Sequence, residues 1–156
     1  MIRVLFVCLG NICRSPTAEA VFRHQLRAQQ LEHLIECDSA GTSGYHIGEA
    51  PDRRAAQAAL SRGYDMSALR GRQVQDDDFE NFDLILAMDK ANLAELRRRA
   101  RPSQRASLQL FLEYADGSDQ EVPDPYYGGR AGFDHVLNLV ESASTGLIRH
   151  LREQLG

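Results

Sequence analysis

The chain has 156 residues, of which 43% are hydrophobic and 26% are charged, and its formal net charge is −4. This length suits a single core, so we expect residues 1–156 to form one domain. The acidic balance offers no electrostatic basis for binding nucleic acid. The sequence also lacks an apolar run of about 18 residues, which argues against membrane insertion.

The cysteine content indicates a reducing compartment. Three cysteines, an odd number, do not make a disulfide framework, and thiols that stay reduced are typical of the cytoplasm. The apolar segment 2–7 is shorter than the core of a secretory leader, and no small-residue cleavage pattern follows it. We therefore expect the protein to act in the cytoplasm.

The first predicted elements are a strand, a tight loop and a helix. Residues 2–7 are apolar apart from Arg3 and rich in branched side chains, which is typical of a strand buried on both faces of a parallel sheet. From Pro16 onward, apolar residues recur at helical spacing. Ser15 is a favourable N-cap and Pro16 a favourable first helical residue, so we expect the helix to begin there.

The remaining predicted elements continue the alternation. We predict strands at 34–39, 84–88 and 108–111, and helices at 53–62, 90–98 and 133–155. This order indicates an α/β fold, a single three-layer domain in which a four-stranded parallel sheet has helices on both faces. Active sites of such folds lie at the carboxyl ends of the strands. Two long loops with aromatic residues, 40–48 and 122–129, are therefore functional candidates, and the first should share a rim with Cys8.

The loop after the first strand contains a Cys-x5-Arg pattern at residues 8–14. The spacing alone is weak evidence, because a chain with three cysteines and many arginines often contains it by chance. Its position is more informative, since the thiol ends a strand and the following amides lead into a helix N-terminus. Such a turn concentrates N–H donors and the positive end of the helix dipole, which makes an anion site.

The residue types within this loop fit phosphate chemistry. Gly10 allows the backbone to curl, and Asn11 tolerates left-handed torsions and can hold the loop with its side chain. The planar guanidinium of Arg14 matches two phosphate oxygens. The same positive field favours the Cys8 thiolate, which is the form that attacks phosphorus, and Ser15 can donate a hydrogen bond to the departing sulfur. The alternative is that Cys8 is only a small buried residue at the end of a strand.

Other reactive side chains have plainer explanations. Cys13 follows Cys8 closely enough to form a reversible disulfide with it after oxidation, and the alternative is simple packing. Cys37 lies within a predicted strand, where core packing is expected. The five histidines share no metal-ligand spacing with one another, with cysteines or with carboxylates. We therefore expect neither a metal nor another cofactor.

Three motifs resemble those of the low-molecular-weight protein tyrosine phosphatases, in the same order along the whole chain. The signature loop of that family is similar to residues 4–16, VLFVCLGNICRSP. Its second loop is similar to residues 38–43, DSAGTS, and its acid loop to residues 124–127, DPYY. The resemblance implies three catalytic roles, those of nucleophile, phosphate clamp and general acid that later acts as base, for Cys8, Arg14 and Asp124.

The resemblance also implies which residues surround the substrate. The substrate-binding residues of the loop would be Leu9, Gly10, Asn11, Ile12, Cys13 and Ser15, with Leu9 and Ile12 as an apolar floor. A polar network that shapes the loop would join Asn11, Ser15 and Ser39. Family members often have a histidine in this network at the position of Leu69. Because leucine stands there, we expect the network to close on Ser39 or on water.

Asp124 and three tyrosines fit the hydrolysis of an aryl ester. A phenoxide leaves far more readily when its oxygen is protonated, because the conjugate phenol has a pKa of about 10. Asp124 lies between two prolines that restrict its backbone, although aspartate beside proline is also common in ordinary turns. A slot for the aromatic ring could be walled by tyrosines, of which we expect one to serve mainly in packing: Tyr45, Tyr126 and Tyr127.

The sequence therefore predicts a phosphatase that hydrolyses phosphotyrosine and other aryl phosphate monoesters through a phosphocysteine intermediate. Ile12 favours phosphotyrosine, because relatives that act on phosphoarginine tend to have threonine there. The expected partner is a phosphotyrosine-containing protein, and the resemblance suggests a bacterial tyrosine kinase of exopolysaccharide export. One alternative is an arsenate reductase of the same fold, although the chain lacks a further cysteine pair after Cys37. The others are a phosphocarrier domain, against which Arg14 and Asp124 argue, and a catalytically weak interaction module.

Overall fold

A computed structural model describes residues 1–126 and 128–156 of the chain. Its central sheet is parallel and has the spatial order β2-β1-β3-β4, formed by β1 (Ile2–Cys8), β2 (Ile35–Gly41), β3 (Leu84–Ala87) and β4 (Ser107–Leu110). The helices of the described residues are α1 (Arg14–Ala28), α2 (Arg53–Leu60), α3 (Asp78–Asn81), α4 (Lys90–Arg99) and α5 (Arg130–Leu155), with a 3₁₀ turn at Phe111–Tyr114. The predicted single-domain α/β fold with a four-stranded parallel sheet is confirmed.

Alternate residues of β1 face the two sides of the sheet. Val4 and Phe6 pack with α1, α2 and α5 in one core. Leu5 and Val7 pack with α3 and α4 in the other. Both sets are fully buried, which explains why the strand reads as a continuous apolar run rather than as an alternating one. The three layers follow from this double burial.

The longest helix, α5, has 26 residues and packs one apolar face against α1, α2 and the 3₁₀ turn. Its buried residues include Val136, Val140 and Leu147, which recur at helical spacing. The opposite face carries mostly polar residues, among them Asp134, Asn138 and Glu141. Neither α5 nor any other helix in the described part of the chain is long and apolar enough to cross a membrane.

The structure corrects several predicted boundaries. Helix α1 begins at Arg14, and its N-cap residue, Cys13, makes no side-chain capping bond. The predicted N-cap role of Ser15 is wrong, because its hydroxyl lies against the Cys8 sulfur instead. Helix α2 ends earlier and α5 begins earlier than predicted. Helix α3 and the 3₁₀ turn were not predicted, since a single turn is too short to show a periodic pattern.

The register of the sheet brings two loops to one edge. Cys8 lies opposite Gly41. The segments that follow are joined by hydrogen bonds from Thr42 N–H to the Cys8 carbonyl (2.9 Å) and from Ser43 N–H to the Leu9 carbonyl (3.0 Å). A Cβ on Gly41 would approach the Leu9 carbonyl oxygen to 2.7 Å, so only glycine fits this close approach. The predicted common rim is therefore confirmed.

Candidate active site

The loop that follows β1 curls around the sulfur of Cys8. The backbone N–H of Asn11 donates a hydrogen bond to Cys8 Sγ (3.3 Å), and Ser15 Oγ lies 3.0 Å from the same atom. Asn11 makes this curl with a φ of 58°, in the left-handed region that asparagine tolerates. The loop then runs directly into α1, so the amide end of that helix adjoins the sulfur.

The side chain of Asn11 is the centre of a buried polar network. Its Nδ2 donates to Ser15 Oγ (2.8 Å) and to Ser39 Oγ (3.0 Å). Its Oδ1 accepts from the backbone N–H of Arg72 (3.0 Å). Asn11 is therefore in direct contact with both serines that the resemblance implied. Ser39 in turn donates to Glu19 Oε1 (2.7 Å), which extends the network beyond what the sequence indicated.

Glu19 is a buried acid, only 4% exposed, that no sequence pattern indicated. Burial raises the pKa of Glu19, although the Ser39 hydroxyl and the Arg23 guanidinium, 2.7 Å away, partly offset this effect. Leu69 does not join the network and packs against the main core instead. The network therefore closes on Ser39 and then on a carboxyl group. Helical spacing alone gives no signal for Glu19, because a glutamate normally marks a solvated face.

Arg14 is buried beneath the same loop. Its Nη1 donates to Asp89 Oδ2 (2.6 Å) and to the Val122 carbonyl (3.0 Å), and its Nη2 lies 3.9 Å from Asp124 Oδ2. Burial opposes the charge of Arg14, but the neighbouring Cys8, Asp89 and Asp124 outweigh burial and raise the pKa of the guanidinium. Arg14 is therefore a fixed cation whose Nε–Nη2 edge is not used by Asp89.

Two carboxyl groups lie near Arg14, and they differ in exposure. The Asp89 side chain is 21% exposed, caps α4 through a bond from Asn92 N–H (2.7 Å) and holds Arg14. The Asp124 side chain is 51% exposed and accepts a hydrogen bond from Tyr126 N–H (3.0 Å). Asp89 is thus occupied on both oxygens, whereas Asp124 lies at the mouth of the site.

One cavity of about 300 Å³ unites these groups. Its floor and walls come from the β1–α1 loop, the 40–48 loop and the 122–129 loop. The described residues that line it are Cys8, Leu9, Gly10, Ile12, Cys13, Arg14, His46, Asp124 and Tyr126. Asn11 and Ser15, which we expected to contact substrate, lie beneath the lining with exposures of 2% and 0%.

The aromatic walls differ from the sequence-based expectation. Tyr126 lines the cavity, whereas Tyr45 is 82% exposed and does not. His46 lines the cavity instead: a Cβ on Gly10 would lie 3.0 Å from its Cδ2, and its Nδ1 lies 2.9 Å from Glu49 Oε2. The only sequence signal for His46 was its place in the 40–48 loop. Tyr127, the third predicted wall, lies outside the described residues.

All three cysteines are free thiols. Burial, followed by the nearby Asp52, raises the pKa of Cys13 to about 12. Burial likewise raises the pKa of Cys37 to about 12, and that side chain packs partly buried against the main core, as its strand position predicted. Cys13 and Cys37 are therefore protonated at neutral pH.

The cavity brings together a thiol, donors directed at its sulfur, a fixed cation and an accessible carboxyl group. Within residues 1–126 and 128–156, no cluster of three His, Cys, Asp or Glu side chains could hold a metal ion. Such a site at the carboxyl end of a parallel sheet defines the class of cysteine-dependent phosphatases. A family model described as low molecular weight phosphotyrosine protein phosphatase matches residues 3–155. The chain belongs to this family.

Individual relatives extend the comparison. A low molecular weight protein-tyrosine-phosphatase of Streptomyces coelicolor is 49% identical over 98% of this chain and 95% of its own. The human low molecular weight phosphotyrosine protein phosphatase is 44% identical over 85% of each chain. A solved protein tyrosine phosphatase from Entamoeba histolytica superposes with a TM-score of 0.95 at 41% identity, covering both chains fully. A Drosophila arginine phosphatase superposes with a TM-score of 0.91 at 34% identity, covering 96% of this chain and 98% of its own.

Proposed function

We propose that this protein hydrolyses phosphotyrosine in protein substrates, and other aryl phosphate monoesters, through a phosphocysteine intermediate on Cys8. The observation that supports this most is the shared cavity, which is lined by the Cys8 thiol, the Arg14 guanidinium and the Asp124 carboxyl group. Family membership and the names of the relatives agree with it.

In the first step the loop amides and Arg14 bind the phosphate dianion. Because Nη1 of Arg14 is bound to Asp89, the Nε–Nη2 edge remains to form two parallel hydrogen bonds with phosphate oxygens. The Cys8 sulfur attacks phosphorus and displaces the aryl oxygen. Asp124 protonates that oxygen as the bond breaks, so that tyrosine leaves as a phenol.

In the second step water cleaves the phosphocysteine. Asp124, now a carboxylate, accepts a proton from the water as its oxygen attacks phosphorus. The Cys8 thiolate leaves, and the Ser15 hydroxyl at 3.0 Å donates a hydrogen bond that stabilises its charge. Inorganic phosphate is then released and the site returns to its starting state.

The lining of the cavity favours phosphotyrosine over phosphoarginine. The overall fold does not discriminate, because an arginine phosphatase is a near structural match. Leu9 and Ile12 line the same cavity as Cys8. A phenyl ring contacts them without loss, whereas the N–H groups of a guanidinium would lose their water partners there.

We further propose that the physiological partner is a phosphotyrosine protein in the cytoplasm, such as a bacterial tyrosine kinase. The three free cysteines support a reducing compartment, in which the nucleophile stays active. Oxidised Cys8 would be protected by a reversible disulfide with Cys13, a second thiol of the same loop that lines the same cavity.

Two variants and a comparison of two substrates test the proposal. Cys8→Ser should abolish phosphate release yet still bind inorganic phosphate, because the amides and Arg14 remain. Arg14→Lys should be severely impaired, since a point charge makes no parallel pair of bonds. The wild type should prefer phosphotyrosine to phosphoarginine. Measurable turnover by Cys8→Ser would disprove the covalent route, and a preference for phosphoarginine would disprove the substrate assignment.

The role of Asp124 is tested by the basicity of the leaving group. Asp124→Asn should slow phosphoenzyme formation, followed by rapid quench, at least about tenfold more for phenyl phosphate than for p-nitrophenyl phosphate. Nitrophenoxide departs readily without a proton, so it needs the acid least. Equal losses for both substrates would show that Asp124 only orders its loop.

A further inference from the structure

A chain of polar contacts links residues 8–14, the phosphate loop, to residues 122–129, the acid loop, through the start of α2. The backbone N–H of Asp52 donates to the Ile12 carbonyl (2.7 Å) in the phosphate loop. The Asp52 carboxylate caps α2 and accepts from Arg54 at Nε (3.3 Å) and Nη2 (3.2 Å). Arg54 Nη2 also donates to the Tyr126 carbonyl (2.6 Å). Tyr126 N–H donates to Asp124 Oδ1 (3.0 Å), so the chain ends on the proposed general acid.

Arg54 also lies over two aromatic rings, one in the acid loop and one in α5. Its Cζ lies 5.4 Å from the centroid of the Tyr126 ring and 5.0 Å from that of Phe133 in α5. Its Nη1 reaches the Gly128 carbonyl at 3.5 Å. The guanidinium therefore joins the start of α2, the acid loop and the beginning of α5.

The acid loop needs such support because it is exposed. Asp124, Tyr126, Gly128 and Gly129 are all exposed, and the Asp124 side chain lies half in solvent. A general acid must stay within hydrogen-bond reach of the atom that it protonates. A displacement of about 1 Å at a catalytic group can cost about a hundredfold in rate.

We infer that Arg54 is a positioning residue, which holds the acid loop so that Asp124 reaches the leaving oxygen of the substrate. The inference rests on the proposed function, since it requires Asp124 to be the acid. Arg54 is not among the residues that line the cavity, so it acts through the backbone of Tyr126. Its guanidinium binds Asp52 and the Tyr126 carbonyl and also lies over two aromatic rings, a combination of contacts that an ammonium group does not reproduce.

The test compares Arg54→Ala and Arg54→Lys with Arg53→Ala, which removes an exposed arginine of the same helical turn. Phosphoenzyme formation is followed by rapid quench with phenyl phosphate and with p-nitrophenyl phosphate. Arg54→Ala should slow the first reaction at least about tenfold and the second less than about threefold. Arg54→Lys should show the same trend more weakly, and Arg53→Ala should match the wild type.

Two further readouts separate positioning from general support. The inhibition constant of inorganic phosphate should stay within about twofold of wild type, because the Cys8 loop and Arg14 are unchanged. The basic limb of the pH profile of kcat/KM, which a required acid imposes, should weaken in Arg54→Ala. A merely structural defect would weaken phosphate binding and slow both substrates alike.

The outcomes that overturn the inference are distinct from failure of the proposed function. If Asp124→Asn shows leaving-group dependence and the Arg54 variants show none, only the positioning role is wrong. If Asp124→Asn shows none either, the acid assignment fails and the inference fails with it. Should Arg54→Ala not fold, as judged by far-UV circular dichroism, Arg54→Lys decides, because wild-type kinetics in that variant would exclude a need for the guanidinium.

Discussion

Replacing Asn11 should cost more stability than most single substitutions, because this side chain makes three hydrogen bonds at a strained point of the phosphate loop. The bonds join it to Ser15, Ser39 and the backbone of Arg72. Asn11 is 2% exposed, so solvent does not replace them. At about 1 kcal/mol net for each bond, Asn11→Gly should lose about 3 kcal/mol of unfolding free energy.

Asn11→Ala should lose about 1 kcal/mol more than Asn11→Gly. The φ of Asn11 is 58°, and in this region a Cβ without a compensating polar group is penalised relative to glycine. Gln30 provides a matched control, because it has the same φ of 58° on the protein surface. Gln30→Ala should be close to neutral, since both side chains carry a Cβ and no buried bond is lost.

Urea unfolding followed by far-UV circular dichroism measures these differences, and the slope of each transition checks that the unfolded states are alike. Inhibition by inorganic phosphate measures the second consequence, because a loop that has lost its network should bind the anion more weakly. An Asn11→Ala protein within about 1 kcal/mol of wild type would refute the contribution of the network. A glycine variant less stable than the alanine variant would refute the argument from φ.

Three other predictions concern the thiols, the buried acid and the cavity wall. Peroxide should convert Cys8 to a sulfenic acid that Cys13 attacks to form a disulfide. Because burial raises the pKa of Cys13 to about 12, its thiolate fraction rises about tenfold per pH unit, and mass spectrometry should show disulfide formation accelerating by the same factor. Over-oxidised Cys8 together with a free Cys13 thiol would exclude the disulfide. Burial also raises the pKa of Glu19 in the folded protein above its usual value of 4.5. The stability of the wild type relative to Glu19→Gln should therefore be greatest below pH 4.5 and should fall as the pH rises through the raised pKa. A difference in urea midpoint between the two proteins that does not vary with pH would contradict this. His46→Ala should raise KM for aryl phosphates with little change in kcat, whereas Tyr45→Ala should change neither, and the opposite ranking in steady-state kinetics would show that Tyr45 is the wall.

The sequence by itself determined the layers of the fold and the phosphate loop. The apolar residues of β1 point to both faces of the sheet and are buried on both. Their pattern therefore implies a three-layer fold, in which helices cover the two faces of the sheet. The residues from Cys8 to Ser15 are neighbours along the chain, and their contacts follow from one short turn into a helix. Local information is sufficient for such a feature, because few conformations connect its ends.

The tertiary structure alone decided which distant side chains complete the site. Ser15 illustrates the limit, since its local preference for a helix cap is overridden by the Cys8 sulfur and Asn11. Arg14 is paired with a residue 75 positions away and Arg54 with one 72 positions away. Only the tertiary structure shows that Glu19 is buried and that His46, rather than Tyr45, lines the cavity. A buried charge or polar group must be paired with a partner. Which residue becomes the partner depends on how the crossover connections bring separate segments to one edge of the sheet. A local sequence pattern contains no information about these long-range contacts.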